Sequence, residues 1–301
     1  MAYRIRPSKP FTQEFCSVAR KQIDRAVASL SDQPEGPHAA VHAARKRFKR
    51  LRALYRLVEP DARAFRKQEN ERIRIMAKTL STVRDATALV ETVDYLAGRA
   101  ASADEFSALS QAARGLMERR DRIAGEEQDL PEKIAHAIET CQAARAVLAS
   151  LDVDDGKSRT AKRMGKVWTR QHRKACQALA HCLDSHDAEA FHDLRKRGQV
   201  YWMHLSLLQD LWPSAMLAKH AQAKHLVDLL GHEHDLSVLT ETVNENPDQF
   251  GSSETLATLI AAIISRQQAL RQEALELAQQ VFAEDSRQEG RLIEILWAEA
   301  A

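Results

Sequence analysis

Residues 42–56 read HAARKRFKRLRALYR, seven Lys/Arg in fifteen positions with no acid among them. At about 100° per residue, a helix puts His42, Arg45, Lys46, Lys49, Arg52 and Arg56 on one side. Ala44, Phe48, Leu51, Leu54, Tyr55 and Val58 fall on the other. One face is built for burial and the opposite face is a ladder of cations. Like charges at i, i+3 and i+4 cost a helix a few tenths of a kcal/mol per pair, so the ladder implies an acidic partner outside the helix. Taken alone, a solvated basic face is the plainer account of such a run.

The rest of the composition argues against that plainer account. The 301 residues carry 44 Lys/Arg against 42 Asp/Glu, a net charge of +2. The chain is therefore not globally basic, and its cation stripes are segregated. Ten Gly and eight Pro are few for this length, and apolar residues recur at helical spacing, which predicts an almost entirely α-helical protein. Cys16, Cys141, Cys176 and Cys182 form no CxxC and no dense framework, as expected for packing roles in a reducing compartment. The N-terminal MAYRIRPSKPFTQEF lacks an apolar signal core, and the apolar run around Leu256–Ile264 is too short to span a bilayer. The expectation is a soluble, cytoplasmic protein.

Along the chain, a helix is predicted from about Phe11 to Leu30, ending before SDQPEGP. The basic helix then opens near Pro37 and closes by Pro60. Asp61–Ala97 reads as one long helix or two, with Gly98 as a stop. Ser102 with Glu105 is a capping-box pair, and Asp129, Pro131 and Glu132 open a helix that fades near Leu151. DVDDGKS, from Asp152 to Ser158, is the best linker, dividing the chain into residues 1–151 and 158–301.

Those two segments repeat. His42-Ala-Ala-Arg45-Lys46-Arg47 recurs as His192-Asp-Leu-Arg195-Lys196-Arg197, and Leu80-Ser-Thr-Val-Arg84-Asp85 recurs as Leu230-Gly-His-Glu-His234-Asp235. Both offsets are 150 (192 − 42 and 235 − 85), while the fourth-helix match of Arg119 to Arg266 needs 147. Duplication predicts two helical bundles related by a pseudo-two-fold axis, with a groove between them lined from both sides.

The second ladder is thinner, because Gln199, Trp202 and Ser206 stand where Lys49, Arg52 and Arg56 stand in the first. Arg163, Lys166, Arg170 and Lys174 follow one face of the helix that opens the second half, with Arg173 at its edge. Arg74, Lys78 and Arg84 in the first half, and Lys224 in the second, extend the theme. Asp85 and Asp235 fit carboxylates that orient those cations, and ordinary helix-surface ion pairs account for them equally well. Nine of the twelve His lie from His172 onward, yet no HExxH occurs. His232 and His234 at i, i+2 do not share a helix face, so no metal and no cofactor are expected. His42 and His192 read as donors at the head of the stripes, their pKa raised by a bound anion. Gly156-Lys157-Ser158 lacks the preceding glycine and strand of a phosphate-binding loop. No catalytic constellation appears.

The paired motifs resemble the CHAD domain, the conserved histidine α-helical domain. The resemblance is carried by VHAARKRFKRLRALYRLV with LSTVRDATALVETV, and by FHDLRKRGQVYWMHLSLL with LLGHEHDLSVL, and it extends over nearly the whole chain. It implies two pseudo-symmetric, four-helix-bundle-like halves around a basic central cavity that binds inorganic polyphosphate and, in several members, association with polyphosphate granules; the leading reading is a non-catalytic binding module. By position, His42, Arg45, Lys46, Lys49 and Arg52, then His192, Arg195 and Lys196, would hold the ligand. Arg56, Lys78, Arg84, Arg119, Arg163, Lys166, Arg170, Lys224 and Arg266 complete the candidate polyphosphate-binding set.

A flexible polyanion suits cations spaced along a helix face, which track charge without reading sequence. Two competing readings remain. A phosphohydrolase or polyphosphate-processing enzyme would need an acidic cluster for Mg²⁺, which the basic stripes lack. A nucleic-acid binder would need stacking aromatics, and these are only 5% of residues with none interleaved among the cations of the first stripe. Neither membrane nor specific nucleic acid is expected as a partner, and a monomer and a dimer are equally compatible with the sequence.

Overall fold

The computed structural model describes residues 3–80, 82–185 and 187–301, and of residues 82–84 the backbone alone. The described residues fold into α-helices joined by short turns, without a strand. The first part holds α1 (Phe11–Asp32), α2 (Pro37–Leu54), α3 (Arg63–Thr79), α4 (Thr82–Ala97), α5 (Ala103–Glu126) and α6 (Leu130–Val147). The second holds α7 (Lys157–Ser185), α8 (Ala188–Leu207), α9 (Pro213–Glu245), α10 (Ser253–Val281) and α11 (Ser286–Ala300). Asp61–Ala97 thus contains two helices, and Arg56 lies on a 3₁₀ turn, Tyr55–Val58, that follows the basic helix.

Local chemistry sets these boundaries. Pro37 and Pro213 open α2 and α9, where a missing N–H costs nothing. Gly36 precedes Pro37 at φ +87°, a conformation that favours glycine. Ser102, Asp187, Ser252 and Asp285 each accept a first-turn N–H from the helix they precede. The expected capping box is nearly complete: Ser102 Oγ accepts from Glu105 N at 3.1 Å, while the Glu105 carboxylate takes the N–H of Ala101 at 2.7 Å.

Helix α1 has no cap of its own. Asp155 supplies it, accepting from both Thr12 N at 2.8 Å and Thr12 Oγ1 at 2.6 Å. The segment expected to be a linker is thereby tied down, with Leu151 and Val153 buried beneath it.

The apolar faces merge in a single core. Helix α1 packs on α2 and α6, α3 on α6, and α7 on α8 and α11; α4 and α5 pack together and lean on α9 and α10. Phe11 meets Phe15 at 5.9 Å and the edge of Trp297 at 6.2 Å, so the first helix contacts the last. Arg163 lies inside this core with its side chain 1% exposed. Its guanidinium sits over the Phe11 ring and donates to Asp61 Oδ2 at 2.5 Å and to the Asp154 carbonyl at 2.6 Å. The four cysteines form no disulfide. Among the described residues no helix is long and apolar enough to cross a membrane.

Candidate functional site

Helices α2 and α8 pack against each other, and a two-part basic cleft opens beside their contact. One part, of about 210 Å³, is lined by Lys49, Arg52, Arg56, Lys196 and Arg197, with Asp193 the sole acid. The other, of about 340 Å³, is lined by Lys46, Lys49, Arg50, Arg195 and Lys224, with His232, Asp228 and Asp235. Lys49, Gln199 and Met203 line both. The ladder expected on one side of α2 is therefore shared between two flanks of the contact. On α8 the split is sharper, since adjacent Arg195 and Lys196 line different parts.

The lining cations are crowded and partly dehydrated. Burial, then Arg66 and Arg197, push Arg56 down from 12.5 to about 10. Burial, then Arg74 and Arg66, lower Arg52. Arg195 is also lowered by burial, with Asp235 and Glu233 acting against the shift. Asp235, the counterpart of Asp85 in the repeat, lines the same part of the cleft as Arg195. Three buried donors at the cleft, Nε of Arg56, Nε of Arg195 and Nε1 of Trp202, have no acceptor among the described residues. Buried donors of this kind are ordinarily satisfied. Trp202, which replaces a cation of the first ladder, has the Lys224 ammonium 5.7 Å above its ring, and Lys224 is held by Asp228 at 2.5 Å. Helix α9 thus returns to the second side a charge that α8 lacks.

Other candidates lie outside the cleft or also bond within the fold. Arg45 donates Nη1 to the Ala77 carbonyl at 2.6 Å, closing the last turn of α3. Arg52 lines the cleft and also donates to Asn70 Oδ1 at 3.0 Å. His42 is half-buried outside the lining, Lys78 is exposed on α3, and Arg119 is half-buried on α5. Arg266 donates to Tyr95 Oη at 2.8 Å, joining α10 to α4. Asp85 is exposed in the first turn of α4, where a carboxylate suits the helix N-terminus, and is not among the lining residues. The Arg84 side chain lies outside the described residues.

Arg163 cannot reach a ligand, because it is a buried core cation. Its place on the face shared with Lys166 and Arg170 is overridden by Asp61 and Phe11, which accept it inside. Lys166 and Arg170 line a different groove, between α7 and α11.

His192 does not line the cleft. Its Nδ1 lies 3.2 Å from Nδ1 of His234, an arrangement in which one neutral ring donates and the other accepts. Burial, then Lys196 and Arg195, depress His192. Burial, then Arg195, His192, Lys49 and Lys196, bring His234 down to about 3. His232 points another way, stacked on Tyr95 at 4.2 Å.

Sequence reasoning missed Arg50 and Arg197, since both lie off the helix face drawn through the motif. Their signal was the run of three adjacent cations at 45–47 and 195–197 and the further pair Lys49-Arg50. No curated protein matches the chain in sequence. A family model described as the CHAD domain matches residues 17–244, which include every lining residue of the α2–α8 cleft. The chain belongs to the CHAD domain family.

Proposed function

We propose that the protein binds inorganic polyphosphate in the α2–α8 cleft without catalysis, and that this binding recruits it to polyphosphate granules. The observation that carries the reading is the convergence of cations on a cleft with few acids: Lys49, Arg52, Arg56, Lys196 and Arg197 on one flank, and Lys46, Arg50, Arg195 and Lys224 on the other. A phosphate oxygen is a strong acceptor and brings the charge that relieves the crowding. A chain of phosphates supplies many, at both flanks of the contact. Hydrolysis would call for a carboxylate cluster able to hold Mg²⁺, and Asp193, Asp228 and Asp235 are spread over two flanks of the cleft.

The reading extends to architecture. Residues 1–151 and 158–301 are taken as two repeats whose basic helices meet face to face. In support, the N-caps Ser102 and Ser252 are 150 residues apart, the same offset as the paired motifs, and α2 and α8 are the helices that meet. The cleft would then be the central groove of a pseudo-symmetric molecule.

The test is calorimetric titration with long-chain polyphosphate at two salt concentrations, with RNA of matched charge as comparison and phosphate release followed with and without Mg²⁺. Salt-sensitive binding that RNA does not reproduce, with no phosphate released, supports the reading. Equal binding of any polyanion, or Mg²⁺-dependent release, overturns it.

A further inference from the structure

A second basic groove lies between α7 and α11. Gly165 and Gly290 face each other there, and a Cβ on Gly290 would stand 1.8 Å from Thr169 Oγ1 and 2.7 Å from the Gly165 carbonyl. Only glycine lets the two backbones approach so closely. Along this seam Lys166, Arg170 and Arg173 of α7 face Arg287 and Arg291 of α11 across a groove of about 530 Å³. Glu294 is the only acid in the lining, and it bonds Arg291 at 3.2 Å. Arg287 and Arg291 are an i, i+4 like-charge pair, as are Lys166 and Arg170, so each helix gains nothing from its own spacing. Acids outside the lining answer part of this charge, since Glu59 pairs with Arg170 at 3.1 Å and Asp285 acts on Arg287 and Arg173, yet five cations converge on the groove.

This groove is connected to the first. Arg170 pairs with Glu59, just past the 3₁₀ turn that carries Arg56, at 3.1 Å. Lys174, one turn on from Arg170, is depressed by burial and then by Arg170, Arg197 and Arg56 together. Arg56 and Arg197 line the α2–α8 cleft. Cations therefore follow one another from that cleft, through Lys174 and Arg170, to the seam of α7 and α11. From Lys166 to Lys174 the helix advances about 12 Å. Arg287 and Arg291 lie beyond residues 17–244, so this end of the track is outside the matched family region.

We propose that the α7–α11 groove is a second phosphate-binding site, occupied by the far end of a polyphosphate chain already held in the α2–α8 cleft. The proposal rests on the reading of that cleft. It makes chain length a determinant of affinity: a triphosphate fills one site, while a long chain fills both and gains from effective concentration.

The test compares triphosphate with long-chain polyphosphate on three proteins: the wild type, the double variant Arg287→Ala/Arg291→Ala, and Lys49→Ala/Arg197→Ala in the cleft. Both α11 arginines are exposed, and a thermal melt checks that α11 remains docked. The expected result is a length preference in the wild type that shrinks about tenfold in the α11 variant, with a shallower salt dependence for the long chain. An unchanged length preference in the α11 variant, with affinity lost in the cleft variant, overturns the second site and leaves the first intact. Failure of the wild type to bind, or indifference of both lengths to the cleft variant, overturns the first reading and this one with it.

Discussion

His192 and His234 stack with ring centroids 4.4 Å apart, and each is kept neutral by burial and by the cations Arg195 and Lys196, which act on both. A polyanion that neutralises those cations removes part of the force that keeps the rings uncharged. The pKa of the pair then rises on binding, and protons are taken up. Binding should tighten as pH falls from 7 towards 5. Calorimetry in two buffers of different ionisation enthalpy at pH 6 would measure the uptake, which should diminish in His234→Asn.

His204 is a buried imidazole of a simpler kind. Its Nε2–H donates to the Ala53 carbonyl at 3.0 Å, and burial holds its pKa near about 4 against an ordinary 6.5. The folded-state pKa is lowered, so the unfolded chain binds the proton first and stability is lost as pH falls through the window from 6.5 to 4. The loss attributable to this residue is about 3 kcal/mol across that window. Denaturant melts should show a flatter pH profile in this range for His204→Gln, which retains a donor without a titrating ring.

The basic helix contains cations with different duties. Lys46→Ala and Lys49→Ala should each weaken polyphosphate binding by about tenfold, the scale of one lost charge-assisted hydrogen bond. Arg45→Ala should instead cost about 1 kcal/mol of stability through its bond to Ala77, with a smaller effect on affinity. Titration and thermal denaturation of the same three variants would separate the two effects.

Arg163→Met should destabilise the fold by about 2 kcal/mol or more, because the Asp154 carbonyl and Asp61 lose their buried donor. Polyphosphate affinity of the folded variant should match the wild type. A drop in affinity with unchanged melting would reverse the assignment of Arg163 to the core.

Gly290→Ala places a methyl group against Thr169 and the Gly165 carbonyl. Overpacking of this order costs about 1–3 kcal/mol, and it acts on the docking of α11. Hydrogen exchange should then show faster exchange in residues 286–300 than in α8.

Much of this was legible because helical periodicity is a property of one axis. The apolar side of α2, Ala44, Phe48, Leu51 and Leu54, is buried as the spacing predicts. What one axis does not hold is the packing of two helices. The contact of α2 with α8 decides that Arg195 lines one flank and Lys196 the other, and it brings in Arg50 and Arg197. Arg163 misled for a related reason: a cation in a buried stripe reads as exposed unless its partner, here Asp61 from 102 residues away, is known. The DVDDGKS segment has a loop's composition, yet Asp155 spends its carboxylate on the start of α1.

That last contact reaches back 143 residues. Helix α1 is synthesised before α7, and the acceptor for its opening turn follows only 143 residues later. The aromatic edge that meets Phe11, Trp297, comes later still. Long-range contacts of this kind slow folding, since the intervening chain must be closed before they are gained. During synthesis, α1 is made well before the residues that cap its opening turn and meet Phe11.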